Sequence, residues 1–126
     1  MSTLQVGTIK STSSAAPVFQ NSSGVEKGMI ALAWANVNGE GVASIRASFN
    51  YSSVTDQGTG KYTMAFTNSM PDGNYALIMG VGDINDSNRT VASFSNTLAT
   101  SGYTIETKYY SNDHRDCGGG YFAVFR

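Results

Sequence analysis

The residues of this chain best suited to catalysis lie in its last quarter. His114 is the only histidine, and Asp113 and Asp116 stand beside it. A catalytic nucleophile, its base and an orienting carboxylate must converge in space, and neighbours on one loop do not predict that convergence. The sequence also contains no nucleophile elbow and no phosphate-binding loop. We therefore predict that the protein is not an enzyme and has no catalytic residues.

Two short segments contain residue types that bind metal ions. Asp83 to Asn88 spaces carboxylate and amide oxygens alternately, as calcium loops do, but lacks the closing bidentate glutamate. His114 and Cys117 offer two ligands three residues apart, which is too few for a closed tetrahedral site. We interpret the first segment as a turn rich in Asp and Asn and the second as an ordinary loop. We predict that the protein binds no metal ion and no cofactor. Whether Asp83 to Asn88 binds an ion stays open.

Aromatic and polar side chains of the last quarter are typical of a surface that binds sugars. Aromatic rings stack on the C–H faces of a sugar, and amides, carboxylates and Arg form hydrogen bonds with its hydroxyls. The competing interpretations are that Tyr103, Ile105 and Tyr109 belong to the core, and that residues 111–120 are only a connection. The candidate receptor-binding residues are Tyr110, Asn112, Asp113, His114, Arg115 and Tyr121.

The elements that must position these residues are short strands joined by glycine turns. Apolar and polar residues alternate over 42–51 and again over 61–67, and this period of two is typical of half-buried strands. Turns are predicted at 55–60 and 70–74, because Gly and Asp-Gly allow tight reversals there. Further strands are predicted near 75–81, 90–96, 103–110 and 120–126. The predicted core residues are Trp34, Ile45, Phe49, Tyr62, Phe66 and Leu77.

These elements predict an all-β protein, a single β-sandwich or jelly-roll-like domain with an extended N-terminal arm. The arm covers residues 1–24, which are polar and rich in Ser and Thr, and the domain covers residues 25–126. One interpretation is that the arm attaches the protein to a neighbouring subunit or to a larger assembly. The other is that it is a partly ordered terminus.

Composition excludes several classes of partner. The chain has 126 residues, of which 40% are hydrophobic and only 13% are charged, with a formal net charge of −1. No basic stripe is present, so no nucleic acid is expected as a partner. No apolar run approaches the roughly 20 residues of a membrane span, so no membrane insertion is expected. Because no secretory signal pattern is present, we expect synthesis and assembly in a cytoplasm, which would be that of the host if the protein belongs to a virus.

The order of motifs from Trp34 to Leu77 resembles a domain near the C-termini of bacteriophage tail fibre proteins and related virion proteins. A Trp-containing strand ends in Asn-Gly at residue 39, and an Ile-Arg strand follows at residues 45–46. The segments that follow are Ser-Val-Thr-Asp at 53–56, Gly-Thr-Gly at 58–60, Tyr-Thr at 62–63, Phe-Thr at 66–67, Met-Pro-Asp at 70–72 and Asn-Tyr-Ala at 74–76. The N-terminal ten residues and the closing Phe-Ala-Val-Phe also look like the ends of short phage tail proteins.

The resemblance implies a virion protein, a homotrimer near a fibre tip that contacts the host surface, either a glycan or a protein. It also implies contacts with other virion proteins, which we assign to the N-terminal arm. Two alternatives stay open at this point. One is a capsid or tail decoration protein with no receptor of its own, and the other is a carbohydrate-binding module.

Overall fold

The structure is a computed structural model that describes residues 4–10, 19–28, 30–82, 90–94, 98–109 and 111–126. These described residues form no helix and ten β-strands: β1 (Phe19–Gln20), β2 (Glu26–Gly28), β3 (Ala33–Asn38), β4 (Ser44–Phe49), β5 (Tyr51–Asp56), β6 (Lys61–Phe66), β7 (Ala76–Gly82), β8 (Thr90–Phe94), β9 (Gly102–Tyr109) and β10 (Gly119–Phe125). The predicted all-β class is confirmed. Within the described ranges, no helix is long and apolar enough to cross a membrane.

Contacts divide the chain into two compact units, Met1–Ile30 and Ala31–Arg126. In the first unit, β1 and β2 pair antiparallel as a small hairpin. The side chain of Asn21 closes its turn by accepting hydrogen bonds from the backbone N–H groups of Ser23 (3.0 Å) and Val25 (2.9 Å). The described residues 4–10 of this unit are exposed. Composition places the limit of the N-terminal arm at residue 24, whereas the contacts place the end of this unit at Ile30.

The second unit is a sandwich of two antiparallel sheets. Among the described residues, sheet I has the strand order β4-β3-β10-β7, and sheet II has the order β5-β6-β9-β8. The chain crosses between the sheets at Asn50, whose left-handed φ of 60° separates β4 from β5. Its side chain fixes this corner by donating to the Leu32 carbonyl and accepting from the Asn68 N–H. Strands β3 and β10 lie side by side in the middle of sheet I.

The core between the sheets is rich in aromatic side chains. Tyr62, Met64 and Phe66 alternate inward along β6, as predicted. The ring of Tyr103 packs 5.8 Å from Phe66 and 6.4 Å from Phe122 of sheet I, joining the two layers. The hydroxyls of Tyr51 and Tyr103 are 2.5 Å apart, so these buried polar groups satisfy each other. Burial raises the pKa of both tyrosines.

Two of the six predicted core residues are not in the core. Tyr62 and Phe66 are buried, and Ile45 and Leu77 are partly buried against the core. Trp34 and Phe49 instead lie on the outer face of sheet I, where 43% and 54% of their surfaces are exposed. The prediction is therefore wrong for these two aromatic residues.

The local backbone explains both errors. Strand β3 turns its small residues Ala33, Ala35 and Val37 inward, because aromatic rings from the other strands already fill the interior. Trp34 consequently faces outward and pairs with Phe49 of β4. Strand β4 has a β-bulge opposite Asn36 and Val37. The extra residue reverses which positions of β4 face inward on either side of the bulge. Ile45 therefore faces inward although Phe49 does not.

Candidate functional site

The loop that follows β9 is held to the sandwich by the carboxylate of Asp116. Its Oδ1 accepts hydrogen bonds from the Gly60 N–H (2.7 Å) and the Tyr62 hydroxyl (2.9 Å). Tyr62 is buried in the core, so this contact fixes the loop to the beginning of β6. Burial and the Asp116 carboxylate raise the pKa of Tyr62. The tyrosine therefore stays protonated and able to donate at neutral pH.

Backbone contacts hold the same loop at Thr107 and Gly60. The Arg115 N–H donates to the Thr107 carbonyl (3.0 Å), and the Thr107 hydroxyl donates to the Arg115 carbonyl. The Thr107 N–H donates in turn to the Gly60 carbonyl (2.7 Å). Gly60 has a φ of +65°, and a Cβ there would lie only 2.4 Å from the Thr107 carbonyl oxygen. Only glycine fits this close approach of the β5–β6 turn to the loop.

The end of the loop is joined to sheet I. The Gly39 N–H donates to the Cys117 carbonyl (2.9 Å), and the guanidinium of Arg46 donates to the Gly118 carbonyl (2.7 Å). The same guanidinium donates to the Val37 carbonyl and the Asn38 side chain. Both sheets therefore fix residues 115–118, and this part of the loop is a rigid element of the sandwich.

A surface pocket of about 280 Å³ lies over this anchored loop. We call it the end pocket, and it is lined by Glu40, Thr59, Tyr109, His114, Arg115 and Asp116. The guanidinium carbon of Arg115 lies 4.8 Å from the centre of the Tyr109 ring, which is cation–π geometry. The pocket thus combines two carboxylates, a cation and an aromatic ring.

A charged cluster on the outer face of sheet II adjoins the end pocket at His114. Glu106 contacts Lys108 (2.7 Å), the His114 imidazole (3.3 Å) and Lys61 (3.6 Å). The hydrogen bond from Lys108, with a further one from His114, lowers the pKa of Glu106. His114 is therefore directed to a carboxylate of β9, whereas Cys117 is buried. The described residues contain no group of three side chains that could hold a metal ion.

The structure brings together only part of the predicted receptor-binding set. His114 and Arg115 line the end pocket, and Asn112 and Asp113 lie on the exposed turn before them. Tyr121 instead lies on the outer face of sheet I, between Asn36 and Gly80. Tyr110, like the predicted turn at 83–88, lies outside the described residues.

Three residues of the end pocket were not predicted from the sequence: Glu40, Thr59 and Tyr109. Glu40 and Thr59 belong to glycine-containing turns far from residue 114 in the chain, and only the sandwich topology brings these turns together. The sequence leaves Tyr109 open between the aromatic cluster and the core, where its parity with Tyr103 would place it. The sequence feature that could have indicated a site at this end of the domain is Gly60 in the β5–β6 turn. Its left-handed φ permits the close approach of the loop.

A second concave surface lies on the outer face of sheet I, and its volume is about 490 Å³. Its floor is formed by Ala123 and Gly80, and its walls are formed by Trp34, Ile78 and Tyr121. We call this hollow the Ala123 dent. It is almost entirely apolar, in contrast to the end pocket.

Comparison of this chain with protein-family models, with curated proteins and with solved structures gives no match.

Proposed function

We propose that this chain is a structural protein of a bacteriophage virion, a homotrimeric tail fibre tip or short appendage whose loop end contacts the host surface. The order of motifs from Trp34 to Leu77 supports the assignment to a virion. The host-contact role is supported by one structural observation: residues 115–118 are fixed to both sheets and present a mixed polar and aromatic pocket. Surfaces that bind a partner are commonly loops held by a rigid scaffold.

The contacts in the end pocket favour binding over catalysis. The Asp116 carboxylate accepts hydrogen bonds from Tyr62 and Gly60, and the His114 imidazole contacts Glu106. The Asp116 carboxylate and the His114 imidazole are the two candidate general bases, and both therefore hold the loop in place. Tyr109, Arg115 and Glu40 line the same pocket, and their side-chain types suit a polar ligand such as a surface glycan or a protein segment.

Adsorption to host cells tests the role of the end pocket. We expect Arg115→Ala combined with Glu40→Ala to weaken binding of the purified protein to host cells, with little change in melting temperature. Arg126→Ala is the matched control, because Arg126 pairs with Asp72 at the opposite end of β10 from the end pocket. Undiminished binding by the double variant would place the receptor site elsewhere.

The second candidate is a capsid or tail decoration protein. The observation that favours it is the exposed apolar outer face of sheet I, which offers a contact with virion proteins that needs no host receptor. Under this alternative, the end-pocket variants would leave adsorption unchanged, whereas variants of the outer face would remove the protein from particles.

A further inference from the structure

The two segments that carry the carboxylates of the end pocket are joined through one buried hydroxyl group. The Tyr62 hydroxyl lies 2.9 Å from Asp116 Oδ1 and 2.9 Å from the Gly39 carbonyl oxygen. Gly39 precedes Glu40 in the β3–β4 turn, and its N–H donates to the Cys117 carbonyl (2.9 Å). The spacing of the two segments that carry Glu40 and Asp116 is therefore set by the core before any ligand binds.

Both carboxylates have capacity to accept further hydrogen bonds. The two bonds that Asp116 accepts from Gly60 and Tyr62 end on the same oxygen, Oδ1, and a carboxylate has about four lone-pair sites on two oxygens. Glu40 is exposed, and its carboxylate forms no hydrogen bond or ion pair with the described residues. Thr59 adds an exposed hydroxyl to the lining. The pocket therefore favours a ligand that offers several hydrogen-bond donors.

The charges of the end pocket favour an uncharged ligand. Glu40 and Asp116 repel an acidic group, and the Arg115 guanidinium in the same lining repels an amine. The adjoining cluster on sheet II supplies two lysines for the carboxylate of Glu106. The lining and the cluster together thus contain three carboxylates and three basic side chains, with the imidazole neutral. A ligand of either charge would meet a like charge in the pocket.

The size of the pocket and its planar groups favour a single sugar ring. Its volume of about 280 Å³ lies just below the roughly 300–1,000 Å³ of sites for drug-sized ligands. The Tyr109 ring and the Arg115 guanidinium, 4.8 Å apart, both line it, and such planar groups pack against the C–H face of a sugar. A protein segment offers one backbone N–H per residue, whereas a sugar ring offers several hydroxyl donors in the same volume.

We propose that the end pocket binds one uncharged sugar ring of a host-surface glycan. Hydroxyl groups of the sugar donate to Glu40 and Asp116, and its C–H face packs against Tyr109 and Arg115. This inference rests on the host-contact role of the proposed function, for which it names the class of ligand. It excludes acidic sugars, amino sugars and a protein receptor.

Treatment of the host cells separates a sugar from a protein receptor. Mild periodate cleaves the bond between two carbons that carry adjacent hydroxyl groups, and it leaves peptide bonds intact. We expect periodate to abolish adsorption of the purified protein to the cells, and protease to leave it unchanged. Adsorption that survives periodate would overturn the proposal, and its loss after protease would identify a protein receptor.

Sugar fragments from the host surface test the charge of the ligand. Mild acid releases fragments of a few sugars, and ion exchange separates them into neutral, acidic and basic fractions. We expect the neutral fraction to inhibit adsorption at millimolar concentration, and the two charged fractions to inhibit it much less. Stronger inhibition by either charged fraction would overturn the proposal.

Glu40→Gln provides a readout that depends on the charge of the ligand, because it removes the charge and keeps the size of the side chain. It should weaken inhibition by the neutral fraction roughly three- to tenfold and raise the relative inhibition by the acidic fraction. Val42→Lys is the matched control, since it changes the net charge equally in the same turn, at a residue that is 87% exposed and outside the lining. An unchanged ratio of the two fractions in Glu40→Gln would overturn the contact with Glu40.

Failure of this inference is distinguishable from failure of the host-contact role. If Arg115→Ala combined with Glu40→Ala weakens adsorption but periodate does not, the end pocket contacts the host through another class of ligand. If the double variant adsorbs normally, the host-contact role fails, and the sugar site fails with it.

Discussion

The Tyr62 hydroxyl lies 2.9 Å from Asp116 Oδ1, and this hydrogen bond joins the core strand β6 to the loop of the end pocket. Asp116→Ala leaves both the Tyr62 hydroxyl and the Gly60 N–H without this acceptor. We expect it to lower the free energy of unfolding by about 1–3 kcal/mol, the usual cost of a buried unpaired group. Denaturant unfolding measures the loss. In the Tyr62→Phe background the same change should cost less, and equal costs would show that the two groups are not coupled.

Gly60 and Gly41 provide a matched pair of left-handed glycines. Both have a φ of +65°, but a Cβ at Gly41 meets nothing within 4 Å, whereas a Cβ at Gly60 would lie 2.7 Å from the Arg115 backbone nitrogen. Gly41→Ala should therefore cost only the backbone term of about 1–2 kcal/mol. Gly60→Ala should cost clearly more, because the loop must also move. Equal melting temperatures for the two variants would contradict the close packing described at Gly60.

The assignment of Phe49 to the outer face predicts a small effect on the stability of a single subunit. At a concentration at which the chain is monomeric, Phe49→Ala should cost much less than Ile105→Ala. Ile105 is 1% exposed, and truncation of such a residue costs about 2–5 kcal/mol through lost burial and a cavity. Chemical denaturation of the two variants compares the costs directly. A loss at Phe49 as large as that at Ile105 would place Phe49 in the core.

Four core tyrosines should resist ionisation at alkaline pH. Burial raises the pKa of Tyr51, Tyr62, Tyr75 and Tyr103. Because the folded-state pKa lies above the unfolded value of roughly 10, the stability linked to these groups is complete below about pH 10 and is lost as pH rises. The tyrosinate absorbance of these four residues should therefore appear only as the protein unfolds. A single early phase from all tyrosines would contradict this burial.

Much of the sandwich could be predicted from alternation in single strands. The inward positions of β6 and the partly buried Leu77, Met79 and Val81 of β7 follow a simple period of two. The period fails between β3 and β5, because a bulge and the left-handed Asn50 each change the side on which residues lie. Neither feature has a strong signature in a single sequence, so Phe49 was assigned to the wrong face.

The candidate site was predictable only where its residues are neighbours in the chain. His114 and Arg115 stood out as polar residues of one loop, and both line the end pocket. The anchoring contacts join Asp116 to residues 54 and 56 positions away, and such contacts depend on the packing of the two sheets. Tyr121 was assigned to the same site by its nearness to the loop. Its alternation with the buried Phe122 and Val124 would have indicated the outer face.

The most direct test of the assignment to a virion is to locate the protein on intact particles. Purified particles are labelled with an antibody to this chain and viewed by electron microscopy, and their proteins are identified by mass spectrometry. We expect label on the tail or on a short appendage, together with peptides of this chain in stoichiometric amount. Particles that carry neither the label nor the peptides would contradict the proposed function.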